Sequence, residues 1–217
     1  MKGFWPLVRR TLIAGLLLAV VMPAVAGSSQ GRPTGVVNSS PQTPARPVPS
    51  VRVADLDNHL VNPFQTSVDV RATVLVFTSV QCPISNRYAP VIAKLNDAFG
   101  SKGVQFWMVY PNPFDTAEAI RRHLKDFALP PRALRDPDHA LAKIANATVT
   151  PEAAVFDGQG RERYHGRIDD RYVNLGLERP APTKHDLQDA LMATLAGKTV
   201  ADASTKAVGC YIADFVQ

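Results

Sequence analysis

The fold of this chain is decided by the stretch TVLVFTSVQCPISNRYAP, which runs from Thr73 to Pro90. Its first half is a run of apolar, largely β-branched residues, which predicts a buried strand. A short polar turn then leads to Cys82 and Pro83, and a helical pattern begins near Ser85. A cysteine at a helix N-terminus lies where unpaired N–H groups and the helix dipole stabilise a thiolate. The stretch therefore predicts a reactive cysteine between a strand and a helix.

Strand and helix patterns alternate on both sides of this stretch. The predicted strands are 51–56, 60–61, 71–77, 103–110 and 133–135, the predicted helices are 85–100, 116–127, 138–145 and 186–195, and a hairpin joins 153–156 to 162–168. Asp138 is the predicted N-cap of the third helix. Alternating strands and helices favour parallel pairing with right-handed crossovers, and the hairpin adds antiparallel strands. The order predicts an α/β three-layer sandwich with a mixed central sheet flanked by helices.

The charge of the chain argues against a nucleic-acid partner. The formal net charge is +5 over 217 residues. The first 26 residues hold Lys2, Arg9 and Arg10 and no acidic residue, so the remainder has 21 basic against 19 acidic residues. No dense basic patch remains, and such a patch is what polyanion binding requires.

The N-terminal residues have the composition of an export signal. Basic residues precede a short apolar run, and Ala24-Val25-Ala26 matches a signal-peptidase site, so residues 1–26 are a predicted signal peptide. An uncleaved signal would be the one route to a membrane. The Pro- and Ser-rich residues 27–49 predict a flexible linker. We expect a domain over 50–197, a tail over 198–217, and a periplasmic or secreted protein.

The chain has two cysteines, Cys82 and Cys210, and the second lies in the predicted tail. In an oxidising compartment two cysteines either form a structural disulfide or react, and both readings are open from the count alone. Cys82 opens a C-x-x-S motif whose Ser85 cannot form a disulfide. Ser85 is expected either to cap the helix or to donate a hydrogen bond to the Cys82 sulfur.

Thr150-Pro151 precedes the first strand of the predicted hairpin. A proline at the start of a strand is an ordinary edge feature. It is also compatible with a cis peptide bond, which is uncommon even before proline. The dipeptide alone therefore assigns no function.

Three stretches together resemble the thioredoxin-like superfamily, in its secreted redoxin branch with the alkyl hydroperoxide reductase and thiol-specific antioxidant domains. They are FTSVQCPISN (77–86), VTPEAAVFD (149–157) and GRIDDRY (166–172), and the resemblance covers about 51–195. It implies that Cys82 is the nucleophile, followed by Pro83. It also implies that Pro151 is a cis proline facing the cysteine, with Thr150 before it.

This chain departs from that resemblance at two places. Ser85 occupies the position of the second cysteine of a C-x-x-C motif. The peroxiredoxin pattern P-x-x-x-T-x-x-C is only partly present, because Ser79 fits the hydroxyl position while Leu75 replaces the proline. Neither a dithiol oxidoreductase nor a peroxidase is therefore implied intact.

The sequence accordingly predicts an exported thiol oxidoreductase without a cofactor or metal ion. Cys82 would attack a disulfide or a peroxide, and Cys210 would resolve the product. The expected partners are an external thiol electron donor or a disulfide-bearing protein. One alternative is a copper-handling or partner-binding module in which Cys82, Cys210 and a histidine such as His165 bind a soft metal. Another is a redox-inert scaffold with a structural disulfide.

Overall fold

The computed structural model of the protein describes residues 49–212. The predicted signal peptide, residues 27–48 of the predicted linker and residues 213–217 of the predicted tail lie outside the described residues. Within this described range, no helix has the length and apolar character needed to cross a membrane.

Eleven strands and four helices make up the described chain. The strands are β1 (Val53–Asp55), β2 (Leu60–Val61), β3 (Ala72–Phe77), β4 (Val104–Tyr110), β5 (Ala133–Arg135), β6 (Val149–Thr150), β7 (Glu152–Asp157), β8 (Glu162–Gly166), β9 (Tyr172–Asn174), β10 (Leu177–Glu178) and β11 (Cys210–Tyr211). The helices are α1 (Pro83–Gly100), α2 (Ala117–Asp126), α3 (Ala140–Ile144) and α4 (Asp186–Leu195). Every element predicted from the sequence is present.

A seven-stranded mixed sheet forms the middle layer, in the order β2-β1-β5-β4-β3-β7-β8. β3 pairs with β4, and β4 with β5, in parallel, with α1 and α2 as the crossovers. β7 and β8 form the antiparallel hairpin, and β7 pairs antiparallel with β3. All six residues of β3 are buried, as expected for a strand covered on both faces. The predicted mixed sheet is confirmed.

Two hydrophobic clusters cover the two faces of this sheet. Residues of α1, α2 and α4 pack on one face around Val74 and Val76 of β3. Residues of α3 pack on the other face around Leu75 and Phe77. The side chains of β3 alternate between the two clusters because successive side chains of a strand point to opposite faces. The predicted three-layer α/β sandwich is therefore confirmed.

The predicted N-cap of the third helix was wrong. α3 begins at Ala140, after His139 in a left-handed conformation. The carboxylate of Asp136 accepts hydrogen bonds from the backbone N–H groups of Leu141, at 3.0 and 3.1 Å, and Ala142, at 2.9 Å. Asp136 is buried whereas Asp138 is exposed, so the cap comes from the residue that points into the protein.

Four short strands were not predicted. β9 and β10 form a hairpin of their own. β6 and β11 form a separate two-stranded pair, antiparallel, with Cys210 opposite Thr150 and Tyr211 opposite Val149. This second pair brings the C-terminal cysteine back to the start of β7.

Candidate active site

Cys82 is held at the junction of β3 and α1. It is the N-cap residue of α1, with Pro83 in the first turn, where a missing N–H breaks no helical hydrogen bond. Its backbone N–H donates to the Ser79 carbonyl at 3.3 Å, and its carbonyl accepts from Asn86 N–H at 3.1 Å. The sulfur is therefore fixed beside the N-terminus of a helix of 18 residues, where negative charge is stabilised.

A buried polar network braces the turn that carries Cys82. Asp115 Oδ2 accepts from the Val80 N–H at 3.3 Å, and Asn86 Nδ2 donates to the Val80 carbonyl at 3.4 Å. Asn86 Oδ1 lies 2.7 Å from His123 Nε2, and His123 Nδ1 lies 2.8 Å from the Tyr110 hydroxyl. An amide oxygen only accepts, so Nε2 carries the proton and Nδ1 accepts from Tyr110.

Burial keeps this histidine neutral, because it lowers the pKa of His123. Burial likewise raises the pKa of Asp115, against the hydrogen bonds from Val80 and Ser79 that lower it. This network was not predicted from the sequence. Its members come from β4, α1, α2 and the loop before α2, and no short-range pattern links them.

The Thr150–Pro151 peptide bond is cis, as the resemblance implied. Thr150 is 3% exposed, and its carbonyl oxygen lies 3.1 Å from Cys82 Sγ, which donates to it in the thiol form. Glu152 Oε2 accepts from the backbone N–H groups of Thr148, at 2.8 Å, and Val149, at 3.3 Å. The segment before β7 is thus held by the buried carboxylate of Glu152, and its Thr150 carbonyl contacts the Cys82 sulfur.

Cys210 lies against Cys82. The two sulfurs are 2.6 Å apart, and both cysteines are free thiols in this structure. A disulfide needs a separation of about 2.05 Å, so the sulfurs are positioned to bond with a small movement. Gly209 makes the approach possible, because a Cβ at this position would meet the Thr150 carbonyl oxygen at 2.1 Å.

The two thiols differ in acidity. Burial of Cys82 opposes its ionisation, but hydrogen bonding from Cys210, then from Ser85 and Thr150, outweighs burial and holds the pKa of Cys82 below its ordinary value. Burial, the hydrogen bond with Cys82 and the charge of Cys82 raise the pKa of Cys210 to about 12. Cys82 is therefore the more acidic thiol of the pair, and Cys210 holds its proton more tightly.

Ser85 does not cap α1, so the capping alternative was wrong. It lies in the first turn of the helix and is 2% exposed. Its hydroxyl oxygen is one of two buried side-chain polar atoms, within residues 49–212, that lack a hydrogen-bond partner. The hydroxyl and the backbone N–H of Ser85 both favour the Cys82 thiolate. The group is therefore available to the sulfur once Cys82 ionises.

A pocket of about 180 Å³ opens above the two sulfurs. It is lined by Ser79, Gln81, Cys82, Pro111, Asn112, Thr150, Cys210, Tyr211 and Ile212. Cys82 is only 3% exposed, and Cys210 is partly exposed. The pocket therefore gives a route from the solvent to the two thiols.

The three-ligand metal site considered from the sequence does not form around the cysteines. Both ring nitrogens of His165 are engaged, Nδ1 by Glu162 at 2.6 Å and Nε2 by the Ser204 hydroxyl at 2.9 Å. Over residues 49–212, the group of three whose ligand atoms lie close enough to share an ion is Asp55, Asp57 and His59. That group is at the surface turn between β1 and β2, where Asp55 already accepts backbone N–H groups.

A family comparison identifies the group of proteins to which this arrangement belongs. The Redoxin family model matches residues 43–173, more than half of the chain. The chain belongs to the Redoxin family. The matched residues include Cys82 and the cis proline, whereas Cys210 lies beyond them. A comparison with curated proteins found no match.

Several solved structures share the fold of this chain. An uncharacterized conserved protein from Geobacillus kaustophilus is 26% identical with a TM-score of 0.66, covering 77% of this chain and 90% of that one. A hypothetical protein from Sinorhizobium meliloti is 25% identical with a TM-score of 0.65, covering 77% and 92%. MTB DsbF, solved in mixed oxidized and reduced forms, is 19% identical with a TM-score of 0.50, covering 68% and 98%. The fold is thioredoxin-like.

Proposed function

We propose that this redoxin is an exported thiol oxidoreductase that cycles between a Cys82/Cys210 dithiol and a Cys82–Cys210 disulfide. The observation that carries the proposal is the 2.6 Å separation of the two sulfurs at the N-terminus of α1. The C-x-x-S motif has a serine, Ser85, at the position where a C-x-x-C motif has its resolving cysteine. Cys210 supplies one from the other end of the chain.

The reaction follows from the different acidities of the two thiols. Cys82 attacks as a thiolate on one sulfur of a substrate disulfide, and the other substrate sulfur leaves as a thiolate and takes up a proton. Cys210 then attacks the Cys82 sulfur, gives up its own proton, and expels the first substrate sulfur. The substrate disulfide gains two electrons, and the protein becomes the Cys82–Cys210 disulfide. An external thiol donor returns it to the dithiol.

Consumption of the Cys82 thiolate would also activate Cys210. The hydrogen bond to Cys82 and the charge of Cys82 both raise the pKa of Cys210. A mixed disulfide at Cys82 carries no charge and accepts a hydrogen bond only weakly. The resolving thiol therefore becomes easier to ionise after the first step. The attack by Cys82 on the substrate thus precedes the attack by Cys210 on Cys82.

Thiol–disulfide exchange rather than peroxide reduction is the favoured chemistry. Ser79 fits the hydroxyl position of the peroxiredoxin pattern, but Leu75 stands where the pattern has the proline of its peroxide-binding motif. Thiol- or disulfide-bearing proteins are the proposed partners. Export is proposed on the composition of residues 1–26, and it fits the chemistry because disulfides persist outside the cytosol.

The proposal is tested by intact mass and thiol trapping on three proteins: the wild type, Cys82→Ser and Cys210→Ser. Each is reduced, exposed to a disulfide substrate or to peroxide, quenched in acid and alkylated. The wild type should lose two alkylation sites and two hydrogens. With the disulfide substrate, Cys210→Ser should accumulate a mixed disulfide at Cys82, whereas with peroxide it should accumulate a sulfenic acid there. Cys82→Ser should react slowly with both.

Two outcomes would contradict the proposal. The first is failure of iodoacetamide to label Cys82 in the reduced, folded wild type, because a nucleophile must be accessible to a small electrophile. The second is a Cys82–Cys210 disulfide whose reduction potential lies below about −300 mV, the range of structural disulfides in secreted proteins. That result would support the redox-inert scaffold.

A further inference from the structure

A serine, a histidine and a glutamate are joined by hydrogen bonds at β8, the last strand of the seven-stranded sheet. The hydroxyl of Ser204 lies 2.9 Å from Nε2 of His165, and Nδ1 of His165 lies 2.6 Å from Oε1 of Glu162. None of the three residues lines the pocket above the two sulfurs. The proposed thiol chemistry therefore makes no use of these side chains.

The hydrogen bonds fix which nitrogen of the neutral His165 ring carries the proton. The carboxylate of Glu162 accepts hydrogen bonds, so Nδ1 donates to it and holds the ring proton. Nε2 is then an acceptor, and the hydroxyl of Ser204 donates to it. A histidine that accepts from a serine hydroxyl at one nitrogen and donates to a carboxylate at the other has the geometry of a general base beside its nucleophile.

The backbone holds Ser204 directly beside His165. The two residues pair as a parallel bridge, in which the His165 N–H donates to the Ala203 carbonyl at 3.0 Å and the Thr205 N–H donates to the His165 carbonyl at 3.1 Å. The hydroxyl of Thr205 is fixed in turn, because it lies 2.6 Å from the Tyr164 hydroxyl. The serine and the histidine therefore keep their relative positions in the folded protein.

The hydroxyl of Ser204 is accessible from the solvent. Ser204 is exposed, and the side chains of His165 and Glu162 are 26% and 25% exposed. In the parallel bridge the Ser204 N–H points away from β8, and within residues 49–212 it donates no hydrogen bond. The N–H of a nucleophilic serine is one of the donors that stabilise the oxyanion in acyl transfer. A carbonyl group that reaches Ser204 therefore meets a nucleophile, a base and an oxyanion donor.

We propose that Ser204 is a second nucleophile of this protein, that His165 is its general base, and that it reacts with carboxylic esters. Glu162 is the residue that positions the histidine. The substrate class follows from the chemistry of a hydroxyl activated by an imidazole, which is acyl transfer. Because Ser204 is exposed, the expected substrates are short-chain esters, whose acyl group needs no enclosed pocket.

The reaction balances with water as the second reactant. The Ser204 oxygen attacks the carbonyl carbon of the ester, and its proton passes to Nε2 of His165. The C–O bond to the alcohol then breaks, and the alcohol leaves with the proton from Nε2. Water attacks the acyl-serine and gives a proton to Nε2, and the carboxylic acid leaves as Ser204 recovers its proton. One ester and one water become one acid and one alcohol, without any oxidation or reduction.

The first test is labelling of the full-length wild type with a fluorophosphonate, which bonds to an activated serine oxygen and expels fluoride. Peptide mapping compares Ser204 with Ser67, an exposed serine whose hydroxyl makes no hydrogen bond within residues 49–212. Ser204 should be labelled at least about 100-fold faster, because a positioned general base contributes about 100- to 10,000-fold. Equal rates at the two serines would overturn the proposal.

Variants of the full-length protein assign the roles. His165→Gln removes the base and should abolish the preferential labelling of Ser204. Glu162→Gln should lower the labelling about tenfold or more, because the carboxylate no longer orders the ring protons, and Glu162→Asp should restore part of it. His59→Gln is the matched control, because Nδ1 of His59 also contacts a carboxylate, that of Asp55 at 3.2 Å, without a serine at the other nitrogen. It should leave the labelling unchanged.

Turnover is measured with p-nitrophenyl acetate on Cys82→Ala, because the Cys82 thiolate would cleave this ester by itself. Cys82→Ala should release p-nitrophenol repeatedly, and the addition of Ser204→Ala should remove that activity. Preferential labelling that persists in His165→Gln would overturn the role of the histidine. Labelling without release of p-nitrophenol would overturn the ester as the substrate class. Each result leaves the proposed thiol chemistry as it stands, because thiol trapping measures that chemistry separately.

Discussion

Cys210 stands directly opposite Thr150 in the antiparallel register of β11 and β6, and this register brings its sulfur within 2.6 Å of the Cys82 sulfur. The register depends on a glycine, because a side chain at Gly209 would collide with Thr150. The second thiol that the C-x-x-S motif lacks is thus provided by a strand 128 residues further along the chain. The site is therefore completed by the antiparallel pairing of β11 with β6, and not by a local sequence motif.

The first prediction concerns the thiol of Cys210 as a hydrogen-bond donor. Cys210→Ala removes the donor that most strongly offsets the burial of Cys82. The pKa of Cys82 should therefore rise, as measured by ultraviolet absorbance of the thiolate against pH. Cys210→Ser keeps a hydroxyl donor and should raise it less. A pKa of Cys82 that is the same in all three proteins would show that the contact does not stabilise the thiolate.

The second prediction concerns the buried hydroxyl of Ser85. Ser85→Ala removes a group that favours the Cys82 thiolate, so the pKa of Cys82 should rise. The free energy of unfolding should change by less than about 1 kcal/mol, because the hydroxyl has no other partner among the described residues. A structural role would instead lower stability and leave the pKa in place.

Thr194→Ala is the matched control for this experiment. Thr194 is the other buried hydroxyl without a partner in residues 49–212, and it lies in α4 rather than in the first turn of α1. Its removal should leave the pKa of Cys82 unchanged. If the pKa of Cys82 rose in both variants, the effect of Ser85→Ala would come from a general loosening of the helices.

The fold was predictable because its signals are local. The continuous apolar run of β3, the helical stripe of α1 and the turn between β7 and β8 each fall within about 20 residues, where periodicity is informative. Cys82 and the Thr150-Pro151 dipeptide were found for the same reason. The strands too short to show a period, such as β6 and β11, gave no signal.

Contacts between distant residues account for what was missed. The brace on the Cys82 turn joins Asn86 to His123 and Tyr110 through side chains whose spacing in sequence has no fixed value. Asp136 and Asp138 are both plausible caps by type, and only the fold decides which is buried. Cys210 was identified as a candidate, but its place depended on the register of a two-residue strand.

The third prediction tests this choice of cap. Asp136→Ala removes the acceptor of the N–H groups of Leu141 and Ala142 and leaves them buried, which should lower the free energy of unfolding by about 2 kcal/mol. Asp138→Ala changes an exposed side chain and should alter it by less than about 0.5 kcal/mol. Urea denaturation of both variants is the measurement. An equal loss of unfolding free energy in the two variants would show that Asp138 contributes to the cap of α3 as much as Asp136.

The fourth prediction concerns stability at alkaline pH. Tyr88, Tyr110 and Tyr164 are 3%, 1% and 1% exposed, and burial raises the pKa of each phenol above its ordinary value. In the unfolded chain the three phenols ionise at about pH 10, whereas in the folded protein they keep their protons at that pH. The unfolded state therefore binds fewer protons as pH rises, and stability is lost above that pH.

The expected size of this loss follows from the number of buried phenols. Each contributes about 1.4 kcal/mol per pH unit, so the three together give a slope of about 4 kcal/mol per pH unit above about pH 10. The raised pKa of Cys210 adds to the loss in the same direction from about pH 9 upwards. Urea denaturation at a series of alkaline pH values measures the slope, and Tyr164→Phe should reduce it by about one third. A free energy of unfolding that stays level across this range would mean that the tyrosines ionise within the folded protein, and that the core around β4 and β8 admits water.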